Sequence, residues 1–460
     1  MGALYRLVQT VRVHKENNEL IEDCVTQFTD AVELLCLEDN QVAICVSGGL
    51  FFVQGERLAY RREDSHFIRR LLEFFEKCKL NGLRFHYSLT KAPRLELVTF
   101  ANLLNRSVTQ HDPSSWLSKQ IEEARLGWLE VINEREMSHE ELALERKQRA
   151  KKSYLYAFES VKEVAQKVGS GGQAGVRKAR RMIQNMVDLA MEDEGVVLGL
   201  STIKSHDNYT YVHSVNVAVL SVCLGKRIGL AHNSLEQLGV SGLFHDLGKV
   251  KVAPEILNKA QELNEAEWEE IREHPVTSVT QILGLRASHV MKSSILIAPF
   301  EHHLRYDLSG YPELKSRRSI SLFGRVIAIA DVYDALTSTR PYRLNPLSPS
   351  DALTVMSDRA GKDFDPILLK VFIKMMGRYP VGTILQFDNG ELGLVTDTWE
   401  DSDKVGPKIV FLAPDSHGVL MPVRSLELGK GNAEGGTFKG NIFGAVHPQA
   451  YAINAARFLF

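Results

Sequence analysis

The chain has 460 residues, of which 44% are hydrophobic and 24% are charged, and this composition is typical of globular proteins with several domains. Acidic and basic residues nearly cancel to a formal net charge of −2, which excludes the global positive field that holds nucleic-acid polymers. No apolar run reaches the length of a membrane helix, and the N-terminus has no secretory pattern. We therefore expect a cytoplasmic protein without a membrane span.

The N-terminal region combines segments of helical spacing with short segments of strand spacing, which predicts a small α+β domain. The predicted helices cover residues 19–38, 67–78 and 95–104, and the predicted strands cover 42–46, 50–58 and 84–87. No nucleophile constellation or phosphate-binding loop stands out in this region. Sensing, homodimerisation and docking of a signalling partner therefore remain equally open as its role.

The residue pattern changes three more times along the chain. A dense run of mixed charges at 130–152 predicts a solvated helix, and a glycine-rich loop at 169–175 precedes a long stretch of helical periodicity. Short apolar runs beyond Pro380 predict a β-rich appendage with strands at 384–387, 392–396 and 409–412. The predicted domains are an α+β domain at 1–110, a charged helical connector at 111–175, an all-α bundle at 176–378 and a β-rich module at 379–460.

The helical bundle contains histidines and aspartates in segments that are otherwise apolar. A single buried histidine on an apolar helix is usually a satisfied core residue, but five histidines and two aspartates on several helices favour a shared metal site. Helices that cross in a bundle core can aim imidazoles and carboxylates at one point. The candidate ligands are His213, His245, Asp246, His274, His302, His303 and Asp331.

These residue types suit hydrolysis of a phosphodiester. Water attacks phosphorus readily once metal coordination lowers its pKa, and two ions about 3.5 to 4 Å apart can share that hydroxide. Asp246, next to His245, can bridge two ions, and the adjacent His302 and His303 can serve different ions. Mixed imidazole and carboxylate ligation without cysteine suits two divalent ions, with Fe or Mn favoured.

Five segments resemble the HD-GYP branch of the HD hydrolases and occur in that family's order. They begin with YTYVHSVNV at 209–217 and FHDLGK at 244–249, and they continue with HP at 274–275, EHHLRYDLSGYP at 301–312 and DVYDALTSTRPYR at 331–343. The resemblance covers residues 195–375, and five ordered motifs are far more specific than one His-Asp dipeptide. The module that starts at Tyr379 also resembles the β extension of some members.

The resemblance implies roles for individual residues. It implies metal ligation by the seven candidate ligands, catalysis by Asp246 and Lys249, and a position for Lys249 near the scissile phosphate. Arg340 and Arg343 resemble the family's phosphate-contacting residues, with a surface salt bridge as their alternative role. The implied substrate contacts are Lys249, Arg340, Arg343 and the signature loop Gly310, Tyr311 and Pro312.

The chain departs from the family pattern at four positions. Leu304 and Leu308 stand where glutamate and glycine are usual, and Ser278 replaces a glycine after the His-Pro motif. Members resembling the three-metal type carry glutamate where this chain has Tyr209, and a phenol there favours two metals.

Three functions follow as hypotheses. The leading one is hydrolysis of a cyclic dinucleotide, with cyclic di-GMP preferred, to the linear dinucleotide, with conversion to GMP left open. The second is another HD-type phosphohydrolase activity, on a mixed cyclic dinucleotide or a mononucleotide. The third is a catalytically silent module that binds nucleotide or a partner and signals.

Overall fold

A computed structural model describes residues 1–14, 18–36, 40–47, 50–54, 56–58, 65–132, 139–204, 208–313, 319–339, 345–401, 404–416, 418–427, 441–451 and 453–460. These residues form two compact units, Met1–Glu140 and Glu141–Phe460. The chain is mostly helical, with one five-stranded sheet in each unit. None of the described helices is long and apolar enough to cross a membrane.

The first unit is the predicted α+β fold. Its antiparallel sheet has the order β3-β2-β1-β4-β5. Helix α2 shows why the sequence forms these elements: the Asn18 side chain accepts a hydrogen bond from the Leu20 N–H, and Ile21, Val25 and Phe28 recur at helical spacing into the core. The helices are α1 (Gly2–Val13), α2 (Glu19–Leu35), α3 (Ser65–Lys77), α4 (Arg94–Ser107) and α5 (Pro113–Glu123). The strands are β1 (Gln41–Ser47), β2 (Leu50–Val53), β3 (Glu56–Arg57), β4 (Gly82–His86) and β5 (Leu129–Ile132).

Strand β5 corrects one prediction. The charge run had placed Glu130 at the start of a solvated helix, but Glu130 lies in the sheet and pairs with Arg84 of β4, with Nη1 and Oε2 2.6 Å apart. The neighbouring Leu129 is buried. The segment is therefore a strand, stabilised by the cross-strand ion pair and by burial of Leu129, although its charged residues recur at helical spacing. Helices α1 and α5 and strand β5 were not predicted.

The second unit begins with α6 (His139–Gly169), which does more than connect domains. Tyr154, Ala157 and Val161 are buried in the same hydrophobic core as the helices that follow. Its charged side chains also contact the bundle, because Nη1 of the half-buried Arg149 lies 3.1 Å from Oε2 of Glu192. The prediction of a solvated connector was therefore wrong for this helix, while the domain boundaries at 110, 175 and 378 stay predictions.

The bundle wraps around α9, whose residues are buried almost throughout, because α10 and α16 pack on it from different sides. A helix buried all round must be apolar all round, and this explains the weak amphipathic pattern of that segment. The helices are α7 (Arg177–Glu192), α8 (Glu194–Leu200), α9 (Tyr209–Arg227), α10 (His232–Leu243), α11 (Pro254–Leu257), α12 (Glu265–Arg272), α13 (His274–Gly284), α14 (His289–Ile295), α15 (Ile297–Glu301), α16 (Leu322–Leu336), α17 (Pro349–Ser357) and α18 (Pro366–Met376).

The C-terminal module is an antiparallel sheet of order β10-β6-β7-β8-β9, followed by the short helix α19 (Ala456–Leu459). The strands predicted at 384–387, 392–396 and 409–412 are confirmed, whereas β9 and β10 were not predicted. The module packs on the bundle through Phe460, whose ring would lie 3.3 Å from a Cβ added to Gly199. The strands are β6 (Ile384–Phe387), β7 (Leu392–Asp401), β8 (Lys404–Pro414), β9 (Leu420–Glu427) and β10 (Ile442–Val446).

A close backbone contact joins the short 3-10 helix Leu247–Lys251 to α13. The Ser278 hydroxyl accepts a hydrogen bond from the Gly248 N–H at 2.8 Å and donates to the carbonyl of His245 at 2.9 Å. Ser278, which departs from the family's glycine, thus ties together the two segments that carry His245 and His274.

This contact predicts that Gly248→Ala destabilises the bundle. An added Cβ would lie 2.1 Å from the His274 carbonyl oxygen and 2.6 Å from the Ser278 nitrogen, and such overpacking costs about 1–3 kcal/mol of unfolding free energy. Thermal or urea unfolding measures the loss. Gly284→Ala in α13 is the matched control, because a Cβ there meets nothing within 4 Å. Equal stability of the two variants would contradict the predicted tight contact.

Candidate metal centre

The bundle brings all seven candidate ligands together. Side chains from α9, the α10–3-10 junction, α13, the end of α15 and α16 converge, although more than 100 residues separate the first from the last. Two groups could each hold a cation, with ligand atoms within 4.8 Å of one another: Asp246, His274, His302 and His303, and His213, His245 and Asp331. We call these seven residues the histidine cluster.

Asp246 lies between the two groups. Its Oδ1 is 3.2 Å from Nε2 of His274 and 3.8 Å from Nε2 of His302. Its Oδ2 is 3.4 Å from Nε2 of His245 and 3.8 Å from Nε2 of His213. Each carboxylate oxygen therefore faces a different set of imidazoles, as expected of a group shared by two cations.

Backbone carbonyls orient three of the histidines. Nδ1 of His245, His274 and His302 lies 2.7, 2.6 and 2.7 Å from the carbonyl oxygen three residues earlier in the chain. A carbonyl can only accept, so Nδ1 carries the proton, and in a neutral imidazole Nε2 then presents its lone pair to the cluster. This is the tautomer that metal-binding histidines adopt.

Among the described residues, several buried nitrogen and oxygen atoms of the cluster have no hydrogen-bond donor nearby and are suited to bind a cation. His213 Nε2, His245 Nε2 and Asp246 Oδ1 are buried and make no hydrogen bond. The Nε2 atoms of His274 and His302 lie 3.3 Å apart, although both are lone-pair acceptors in the tautomer fixed by their carbonyl partners. Converging acceptors without donors are costly in a buried site, and a bound cation removes that cost.

The pKa shifts agree with this assignment. Burial opposes ionisation of Asp246, but Lys249 and the neighbouring imidazoles outweigh it and hold the pKa well below its usual range. Burial and the surrounding imidazoles lower the pKa of His302, which keeps it neutral as ligation requires. Burial also opposes the charge of His213, yet the flanking Asp331 and Asp334 raise its pKa. A bound cation would take the place of that proton.

A buried network that sequence analysis missed supports His213. Asp334 accepts from His213 Nδ1 through Oδ2 at 2.7 Å, and its Oδ1 accepts from Lys204 Nζ at 2.6 Å and from Asn216 Nδ2 at 2.9 Å. The Tyr154 hydroxyl donates to Asn216 Oδ1 at 2.8 Å. Asp334 and Asn216 each follow a predicted ligand by three residues on the same helix, and this spacing could have revealed them.

Glu301 was also missed. It is buried directly before His302, and its carboxylate accepts from the Ser321 N–H at 2.9 Å. Because Ser321 caps α16, which carries Asp331, this bond joins the two segments that supply the last three candidate ligands.

The signature loop lies beside the cluster. The Tyr311 ring packs on the His303 ring with centroids 4.6 Å apart, and Gly310 has a positive φ of 94° with no room for a Cβ beside the His303 carbonyl. Pro312 follows through a cis peptide bond. Leu308 adopts the left-handed conformation at φ 68°, so the loop keeps a backbone shape that glycine would adopt without strain.

Of the three predicted basic substrate contacts, Lys249 lies at the histidine cluster. Lys249 Nζ lies 2.6 Å from Asp246 Oδ2, so its ammonium is at the cluster. Arg340 and Arg343, the predicted phosphate contacts, lie outside the described residues. A cavity of about 500 Å³ opens beside Asp246 and Lys249 and is lined by Tyr209 and Asn258 among others. We call it the large cavity.

Comparisons with known proteins fall on this part of the chain. Residues 200–368, which include the whole histidine cluster, match the family model of the HD domain. The chain is 31% identical to the cyclic di-GMP phosphodiesterase PA4108 of Pseudomonas aeruginosa, over 55% of this chain and 59% of that protein.

Two further relatives are similar over shorter stretches. The chain is 33% identical to the 3'3'-cGAMP-specific phosphodiesterase 1 of Vibrio cholerae, over 38% of each protein. It is 31% identical to a cyclic di-GMP phosphodiesterase of Thermotoga maritima, over 37% of this chain and 45% of that protein. The chain thus spans between 38% and 59% of the length of these three curated relatives.

The network around His213 predicts that Asp334→Ala weakens metal binding by about 10- to 100-fold, the usual cost of losing a group that orients a histidine ligand. Metal titration of the purified protein, read by bound metal per chain, measures the change. Asp358→Ala, at an exposed carboxylate after α17, should leave the affinity unchanged. Unaltered affinity in Asp334→Ala would show that His213 is oriented by other contacts.

Proposed function

We propose that this chain is a metal-dependent phosphodiesterase of the HD-GYP type that hydrolyses a cyclic dinucleotide, with cyclic di-GMP preferred, because residues 200–368 match the HD-domain model and contain the whole histidine cluster. The first product is the linear dinucleotide. The names of relatives that act on cyclic di-GMP or on 3'3'-cGAMP support the substrate class.

One observation carries the proposal. The carboxylate of Asp246 directs one oxygen toward His274 and His302 and the other toward His245 and His213. A phosphodiesterase of this type needs a carboxylate that two cations share, because two ions must lie close together to act on one phosphate. Asp246 would therefore hold both cations as their shared, bridging ligand, and the other six cluster residues would each hold one of them.

The ligand set suits two divalent ions, with Fe or Mn favoured. Five imidazoles and two carboxylates without cysteine match the donor preferences of these metals better than those of Mg. When bound, such ions activate water for attack on phosphorus and neutralise the phosphoryl oxygens. The protein holds the imidazoles neutral and aimed inward through the carbonyl partners of Nδ1.

The large cavity is the proposed substrate site. At about 500 Å³ it lies within the range of ligand pockets in proteins, and Asp246 and Lys249 form part of its wall. A phosphodiester placed there meets the Lys249 ammonium, which stabilises the negative charge that grows on the phosphoryl group. Tyr311 packs on His303 of the histidine cluster and remains, with Arg340 and Arg343, a proposed substrate contact.

Hydrolysis of cyclic di-GMP by the metal-loaded chain tests the function. We expect linear dinucleotide in the wild type and no turnover in Asp246→Ala, which should also lose bound metal because two ions lose a shared ligand. Asp358→Ala serves as the control, and thermal unfolding verifies that Asp246→Ala still folds. Retained turnover in folded Asp246→Ala would contradict the bridging assignment.

A substrate panel separates the three functional hypotheses. Faster hydrolysis of a mixed cyclic dinucleotide or of a mononucleotide than of cyclic di-GMP would favour the second hypothesis. Binding of cyclic di-GMP without turnover, in protein that carries its metals, would favour the silent signalling module. A complete set of ligands together with Lys249 favours an active enzyme over that module.

Lys249→Ala is predicted to lower the rate of hydrolysis by about 10² to 10³, the usual contribution of one donor to a developing phosphoryl charge, while most of the bound metal remains. Single-turnover rates and metal analysis of the same sample measure both quantities. Lys251→Ala is the matched control, because Lys251 is exposed in the same 3-10 helix. Loss of metal along with rate would instead identify Lys249 as a group that holds Asp246 in place.

Tyr209 predicts two metals per chain. It begins α9, and its hydroxyl lies 3.5 Å from the carbonyl oxygen of Leu257. A phenol is a poorer ligand for divalent cations than the carboxylate it replaces, and Asp207, the nearest alternative, lies outside the described residues. Metal analysis should give two ions, and the linear dinucleotide should accumulate before GMP.

Tyr209→Glu supplies the comparison for this prediction. A carboxylate at this position provides the acidic oxygen of the three-metal pattern, so the variant should bind additional metal while Tyr209→Phe should not. Three ions in the wild type, with prompt release of GMP, would overturn the two-metal assignment.

A further inference from the structure

We infer that the junction between the helical bundle and the C-terminal module is a second binding site, which takes a nucleoside monophosphate or a small anion of similar build. The site is a cavity of about 260 Å³, which we call the module cavity. Lys204, Thr337 and Thr339 of the bundle line one side, and His447, Gln449 and Asn454 of the module line the other. The inference does not depend on the proposed hydrolysis.

Half of this cavity lies outside the matched family segment. The bundle side falls within residues 200–368, but the module side comes from residues beyond 380. The cavity therefore exists because segments that flank the sheet of the module pack against the bundle. It is also separate from the large cavity, since the two share no lining residue.

The charge of the lining favours an anion. Among the described residues that line the cavity there is no aspartate or glutamate. Burial and the nearby Lys204 lower the pKa of His447 to about 4, so this imidazole is neutral at pH 7. Lys204 is therefore the positive side chain of the described lining.

The Lys204 ammonium can donate one further hydrogen bond. Its ammonium has three N–H donors, of which one binds Asp334 Oδ1 at 2.6 Å and another binds Ser338 Oγ at 2.9 Å. Among the described residues the third N–H has no acceptor. Asp334 in turn shares its charge with His213 and Asn216, so it offsets the ammonium only partly. A phosphate oxygen is a suitable third acceptor for lysine.

The rest of the lining suits a nucleoside. The amides of Gln449 and Asn454 offer both donors and acceptors, which match the edge of a nucleobase. Pro448 and Ile453 provide an apolar surface for its ring. Tyr333 lines the cavity and is 4% exposed, and its hydroxyl makes no hydrogen bond to the residues that the structure describes. At about 260 Å³ the cavity lies just below the usual range of ligand pockets, so its ligand must be small.

The module cavity is linked to the histidine cluster through one residue. Lys204 lines it and also donates to Asp334, which accepts from His213 Nδ1. A narrow crevice of about 10 Å³, lined by Lys204, Asp334 and His213, lies between the two sites. A ligand that draws the ammonium toward the cavity therefore changes the environment of a cluster histidine without touching it.

Equilibrium dialysis of GMP against the full-length, metal-loaded protein tests the inference. Lys204→Met should weaken GMP binding about tenfold or more, as expected for loss of one charge-assisted hydrogen bond. Gln449→Leu should weaken it by a smaller factor, and since Gln449 is exposed at the cavity mouth this variant should fold normally. Two variants outside the cavity are the matched controls and should bind as the wild type does: Lys292→Met, at a half-buried lysine that is hydrogen-bonded as Lys204 is, and Gln166→Leu, at an exposed glutamine.

The pattern across these variants distinguishes the sites. GMP held by the histidine cluster would be unaffected by Gln449→Leu, which leaves Lys204 and Asp334 in place, and that result would overturn the inference. Inorganic phosphate that binds as tightly as GMP would overturn the assignment of a nucleoside monophosphate. Weaker binding in Gln449→Leu and Lys204→Met alone, with phosphate binding more weakly than GMP, supports it.

Discussion

The buried carboxylate of Asp246 is the constraint on which the architecture of the bundle depends. It lies in the core with Lys249 on one side and imidazoles on the others, and an ion at that depth is tolerable only when positive charge compensates it, as Lys249 does and as the cations of the cluster would. The close contact of Gly248 with α13 and the Ser278 bridge hold the chain around it. Packing and chemistry are thus satisfied by the same few backbone contacts.

Much of the site could be predicted from the sequence, because metal ligands are few in type and lie in otherwise apolar segments. The seven predicted ligands converge as expected, and the motif order identified the segments that carry them. Asp334 and Asn216 were missed because a carboxylate that orients a ligand has no distinct signature beyond its helical spacing. The departures from the family pattern at Leu308 and Ser278 are accommodated by the backbone conformation of the loop and by the hydrogen bonds of one hydroxyl.

The fold was less predictable at its edges. Charge patterning placed Glu130 in a helix, but the strand partner that neutralises it lies 46 residues earlier in the chain, beyond the reach of local periodicity. Helix α6 was mistaken for a connector because its many charged residues are evident in the sequence. The burial of Tyr154 and Val161 depends instead on helices that come later in the sequence, so it could not be read from this segment alone. Strands β9 and β10 likewise form by pairing with β8 and β6, and local sequence patterns do not reveal such pairing.

The acceptors of the histidine Nδ1 protons have a consequence for how the centre can change over time. For His245, His274 and His302 the acceptor is a main-chain oxygen within the same turn, so a substitution of the residue that supplies it leaves the acceptor in place. For His213 the acceptor is the side chain of Asp334. Among these four histidines, a mutation that replaces no ligand can therefore change the metal affinity most directly at His213. This is also the histidine that is linked through Asp334 to Lys204 in the wall of the module cavity.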